Sequence, residues 1–97
     1  MHFKLQFSEE ARLKLQELEH DKSKNGLLKQ LRKVLGFMET NLKHPSLNTH
    51  KFFEISCNLG DVFETYAQNN TPGAYRIFWV YGPGHRKLYV LDIAPHP

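Results

Sequence analysis

Ala74-Tyr75-Arg76-Ile77-Phe78-Trp79-Val80-Tyr81 runs into Gly82-Pro83-Gly84, and Lys87-Leu88-Tyr89-Val90-Leu91-Asp92-Ile93 follows. Two β-branched and aromatic runs joined by a Gly/Pro-punctuated connection predict a hairpin at the centre of a sheet. Arg76 is planted inside the first run, where an unpartnered charge is expensive to bury. It therefore either pairs with an acid on a neighbouring strand, Glu64 or Asp92, or faces a surface where an anionic ligand serves as partner. His96 stands between Pro95 and Pro97 after the second run.

Upstream, Phe3, Leu5 and Phe7 alternate with His2, Lys4 and Gln6, the period-2 signature of a half-buried strand. Ser8 sits where an N-cap belongs, Glu9 and Glu10 follow it in the first turn, and a first helix is expected over 8–21. Asn25-Gly26 reads as the break after it. Leu27, Leu28, Leu31, Val34, Leu35, Met38 and Leu42 then recur at helical spacing, with Lys29, Gln30, Arg32 and Lys33 on the opposite face. That pattern stops before Pro45, which disfavours helix at His44. Two helices so closely joined predict an antiparallel hairpin.

Residues 45–50 have loop composition, and Phe52-Phe53-Glu54-Ile55 reads as a short strand or an apolar tether. Leu59-Gly60-Asp61 looks like a turn, 62–67 like a strand, and 68–73 like a turn or flexible loop. The order is β-α-α-β-β-β. It predicts an α+β fold with the helical hairpin packed on a small antiparallel sheet, and 97 residues correspond to one domain over 1–97.

Composition narrows the function classes. The chain is 40% hydrophobic and 24% charged, the balance of a globular domain, and no apolar run approaches the roughly 20 residues needed to span a bilayer. One cysteine, Cys57, makes no internal disulfide, which points to a reducing cytoplasm and to a buried, inert thiol. The six histidines lack the spacing of a zinc site, and no phosphate-cradling glycine loop precedes a helix, so neither metal nor cofactor is expected. The net charge of +3 is unevenly spread. Residues 1–44 hold nine Lys/Arg against six acids, and residues 45–97 hold four against four. A nucleic-acid surface on the sheet half would depend on few cations, while a basic helix face is usually a solvated one. Trp79 reads as core, whereas Phe78, Tyr75 and Tyr81 have faces suited to stacking on bases.

In order and motifs the whole chain resembles the RelE/ParE superfamily of bacterial toxins. The resemblance rests on Phe7-Ser8-Glu9-Glu10 ending a strand and starting a helix, the Leu59-Gly60 turn, Tyr75-Arg76 opening an apolar and aromatic strand, and the histidine after the last strand. It implies the toxin of a type II toxin–antitoxin system with a cognate antitoxin as partner. In its nuclease branch it implies a ribosome-dependent mRNA endonuclease that uses the 2′-hydroxyl as nucleophile and inhibits translation. Arg76 then matches the phosphate-contacting arginine, His96 the C-terminal histidine, and Glu54 the carboxylate base, with Lys51, Arg86 and Lys87 as RNA-binding cations. Pro97 stands where that branch has a tyrosine, and the lysines of another branch are reduced to Lys51. The alternative is the branch that poisons DNA gyrase, or a non-catalytic binding member of the same fold.

Overall fold

The computed structural model describes residues 2–68 and 73–95. Strand β1 spans Lys4–Phe7 and helix α1 Glu9–Glu19; after a 3-10 turn at Lys22–Lys24, helix α2 covers Asn25–Thr40. A second 3-10 turn at Pro45–Leu47 leads to β2 (His50–Lys51), β3 (Phe63–Tyr66), β4 (Tyr75–Tyr81) and β5 (Lys87–Pro95). The sheet order is β1-β5-β4-β3-β2. No helix among the described residues is long and apolar enough to cross a membrane.

The α+β fold is as expected, with one more short strand, β2, than the expected order, and the sheet is mixed. β1 runs parallel to β5, while the remaining pairs are antiparallel. A parallel pair needs a crossover connection, and the helices lie within the chain that links the two strands. Alternation in β1 tells which side chains face inward and says nothing about the direction of the neighbouring strand. The extended segment expected near Phe52 is also displaced: β2 stops at Lys51, and 52–61 is loop.

Ser8 caps α1 as its position predicts. Its Oγ accepts from the Ala11 amide at 3.0 Å and donates to the Leu91 carbonyl, tying the helix start to β5. The break between the helices falls earlier than expected, at Asp21. Its carboxylate accepts from the Ser23 amide at 3.0 Å and from the Ser23 hydroxyl at 2.6 Å. These bonds, the hydroxyl's first, hold the Asp21 carboxyl below its ordinary value. Asn25 and Gly26 then form the first turn of α2.

Leu28, Leu31, Val34, Leu35 and Met38 of α2, with Ala11 and Leu18 of α1, bury against Ile77, Trp79, Leu88, Val90 and Ile93. Val90 and Ile93 are three apart, and strict alternation would send them to opposite faces. The register shift between Phe78 and Trp79 resolves this: Trp79 opposes Val90, Phe78 opposes Asp92, and Leu91 is the extra residue of a bulge. Simple alternation along the last strand is thereby interrupted. The opposite, outer face has its own cluster of Val62, Phe78 and Val80, against which Phe52, Cys57, Tyr89 and Leu91 pack. Cys57 is half-buried there rather than fully enclosed.

The β4–β5 hairpin closes with the Gly82 amide donating to the Lys87 carbonyl at 2.8 Å. Gly82 has φ +73°, and a Cβ there would meet the Gly84 nitrogen at 3.1 Å, so this turn requires glycine.

Trp79 is fully buried, stacks on Phe63 with ring centroids 4.9 Å apart, and donates its indole N–H to Thr65 Oγ1 at 2.8 Å. Thr65→Val keeps the volume and orphans that N–H, so urea unfolding should register a loss of about 1–3 kcal/mol. A second expectation follows from Asp21. Its carboxyl is held low in the folded state, so its stabilising contribution is present above the unfolded value of about 3.9 and lost as pH falls through the lower, folded value. The melting temperature of Asp21→Asn should therefore lie below that of the parent at pH 6 and converge with it on acidification below about 3.9.

Candidate functional site

Strand parity builds the site on the face opposite the helices. Arg76 opposes Tyr66 across β4–β3, Glu64 opposes Phe78, and His50 opposes Glu64 across β2–β3. Alternation places Glu64 and Tyr66 on one side of β3, and antiparallel pairing brings Arg76 beside them.

Arg76 is 1% exposed. Its Nη1 donates to the carbonyls of Ala74 and Tyr75, each at 3.2 Å, and its Cζ lies 3.9 Å from the centre of the Tyr66 ring. A desolvated cation over an aromatic face contributes on the order of 2 kcal/mol, which offsets part of the cost of burial. Glu64, one of the two acids considered as a partner for Arg76, is bonded to His50, with Oε1 2.8 Å from Nε2. Asp92, the other, accepts from the Ile93 amide at 2.8 Å.

His50 has oxygens at both ring nitrogens, because Nδ1 lies 2.8 Å from the Asn48 carbonyl. A carbonyl only accepts, so Nδ1 carries a proton. The His50–Glu64 contact is then either an imidazolium facing a carboxylate or a neutral ring facing a carboxylic acid. In both cases one proton lies between the two residues. The His50 side chain is 45% exposed while that of Glu64 is 1% exposed, and the His50 ring meets Tyr66 edge-on at 5.7 Å. The cluster thus presents an imidazole and a half-buried phenol to solvent, with a guanidinium and a carboxyl beneath them.

The residues expected from the sequence divide by place. Arg76 is at the centre of this cluster. Lys51 lies on the edge strand and pairs with Asp61 at 3.2 Å. Glu54 is exposed in the 52–61 loop, whose Phe52 and Cys57 pack on the same outer face. Arg86, with φ 54°, and Lys87 sit at the β4–β5 turn. That turn adjoins Tyr81, five residues along β4 from Arg76 and so about 16 Å away. His96 lies outside the described residues; Pro95, which precedes it, pairs with Tyr75, the neighbour of Arg76. His50 and Tyr66 were not picked out from the sequence. Tyr66 was within reach, because it shares parity with Glu64, whereas His50 joins only through the two-residue pairing of β2 with β3.

A helical hairpin on one face of a five-stranded mixed sheet is also the fold of solved YoeB, ParE and RelE toxin structures. No family model and no curated protein matches the chain in sequence. The YoeB/ParE toxin of Agrobacterium tumefaciens superposes with a TM-score of 0.71 at 6% identity, over 98% of this chain and 100% of that one. YoeB in the heterotetrameric YoeB–YefM toxin–antitoxin complex of Staphylococcus aureus gives 0.67 at 13% identity, over the whole of both chains. The archaeal RelE–RelB complex of Pyrococcus horikoshii gives 0.66 at 11% identity, over 98% of this chain and 96% of that one. The fold expected from the sequence motifs is the one observed.

His50→Ala should lower stability by about 1–3 kcal/mol in urea titration, because a buried carboxyl loses a hydrogen-bond partner. His50→Gln, which keeps a donor toward Glu64, should recover part of that loss.

Proposed function

We propose that this chain is the toxin of a type II toxin–antitoxin pair: a cytoplasmic, ribosome-dependent endoribonuclease that inhibits translation by cutting mRNA. The observation that carries this reading is the preset cluster of Arg76, Tyr66, Glu64 and His50 on the outer face of the sheet. The solved complexes of similar fold with RelB and YefM support an antitoxin as partner.

The chemistry asks little of the protein beyond placement. The 2′-oxygen forms a bond to phosphorus while the bond to the 5′-oxygen breaks; the hydroxyl proton goes to a base and the leaving oxygen receives one from an acid. Arg76 supplies positive charge toward the phosphorane, and a charge already oriented in a poorly solvated site needs no reorganisation during the reaction. His96 is assigned to proton transfer, and the chain reaches it directly from Pro95, beside Tyr75. Glu54 is the base implied by resemblance. The proton held between His50 and Glu64 adds a second donor–acceptor unit on the face that Arg76 occupies. Lys51, Arg86 and Lys87 are assigned to the RNA backbone.

Message cleavage in a ribosome-containing translation extract tests the reading. Arg76→Ala and a chain ending at Pro95 should each cut at a rate lower by roughly 100-fold or more, with the fold retained by circular dichroism. Undiminished cleavage in both would remove these residues from the mechanism. No cleavage by the parent chain, together with inhibition of DNA gyrase supercoiling, would establish the gyrase-poisoning alternative.

A further inference from the structure

A groove of about 720 Å3 opens at the far end of β4 from Arg76, between the C-terminal end of α2 and the starts of β1 and β2. Ligand sites commonly fall in the range of about 300–1,000 Å3. Strand parity puts this groove on the helix side: Tyr81 shares a face with Trp79, whose ring it meets edge-on at 4.9 Å, whereas Arg76 points the other way.

We propose that this groove binds a nucleoside 5′-monophosphate, free or as one unit of a single-stranded RNA. Three features select that chemistry. The first is an accessible aromatic surface. Tyr81 is 53% exposed and its ring packs against that of Phe3, centroids 6.3 Å apart and tilted by 56°, so a flat base has one exposed aromatic surface to stack on. The second is charge. Lys43 lines the groove and no carboxylate does among the described residues, so an anion is favoured. The third is the polar lining of Asn41, Asn48 and Thr49, which offers donors and acceptors matched to base edges and ribose hydroxyls.

The orientation follows from α2. Its C-terminal end is the negative end of the helix dipole and disfavours phosphate, and its Phe37 and Glu39 carbonyls already accept from the Asn41 and Phe3 amides. The phosphate therefore lies toward Lys43 and the base toward the end of the helix. Asn48 has a left-handed backbone with φ 48°, and its carbonyl accepts from His50, so the groove wall and the outer-face cluster share one short segment. The site is separate from the cleavage residues, and its existence does not depend on cleavage.

Titration of the 15N-labelled full chain with adenosine 5′-monophosphate tests the proposal, with a 2′-O-methylated, cleavage-resistant hexaribonucleotide as the second probe. Chemical-shift changes should centre on Asn41, Lys43, Asn48 and Tyr81. Tyr81→Ser should weaken binding about 10-fold, within the range for one stacked base, and Lys43→Glu should weaken it while reducing its salt dependence by about one counterion. Tighter binding of the hexanucleotide identifies RNA as the source of the ligand, and equal binding identifies the free nucleotide. Shifts confined to other surfaces, or parental affinity in both variants, overturn the proposal. Lys43 is exposed, so Lys43→Glu keeps the test valid if Tyr81→Ser unfolds. An inactive nuclease that still binds adenosine 5′-monophosphate here would refute only the cleavage reading.

Discussion

Strand β4 must be buried on both faces at once, and the rest of the molecule answers to that constraint. Its inner face, with Ile77 and Trp79, is covered by the helical hairpin. Its outer face, with Phe78 and Val80, is covered by the loop that holds Phe52 and Cys57. Arg76 shares the outer face and cannot be covered by apolar groups alone, since a guanidinium out of water needs acceptors or a π surface. Tyr66 provides the surface, and the carbonyls of Ala74 and Tyr75 provide acceptors. The cluster is thus what a doubly buried strand with one arginine in it requires, before any question of catalysis arises.

The same solution places chemistry where it can act. A buried charge, an imidazole sharing a proton with a carboxyl, and a partly open phenol lie within a few residues on adjacent strands. Burying such groups sacrifices stability that an apolar substitute would supply, a pattern common at functional sites. The β5 bulge acts in the same direction. It keeps both Val90 and Ile93 in the inner core, so the strand can run past Asp92 to Pro95 and finish beside Tyr75.

Much of the fold was legible because its signals are local. The Ser8 cap, the apolar stripe of α2, the glycine turn at 82–84 and the paired last strands each depend on residues near one another in the chain. The break at Asp21 was misplaced because Asn25-Gly26 has turn composition, yet both residues also fit the first turn of a helix. The parallel β1–β5 pair was hidden for a different reason: partners more than 80 positions apart leave no trace in periodicity.

Among site residues, Arg76 stood out because a charge breaks an apolar run, a contrast visible without coordinates. His50 did not, since a histidine in a loop-like segment looks like any solvated one. Sequence alone determined the α+β class, the identity of the core helix face and the presence of one arginine that needs a partner, all through short-range pattern and burial cost. Tertiary structure decided which groups meet that arginine, that Glu64 meets His50, and that Lys51 lies on an edge strand while Arg86 and Lys87 sit at the β4–β5 turn. Those outcomes depend on strand direction, register and a single bulge, each of which moves side chains between faces without changing a residue.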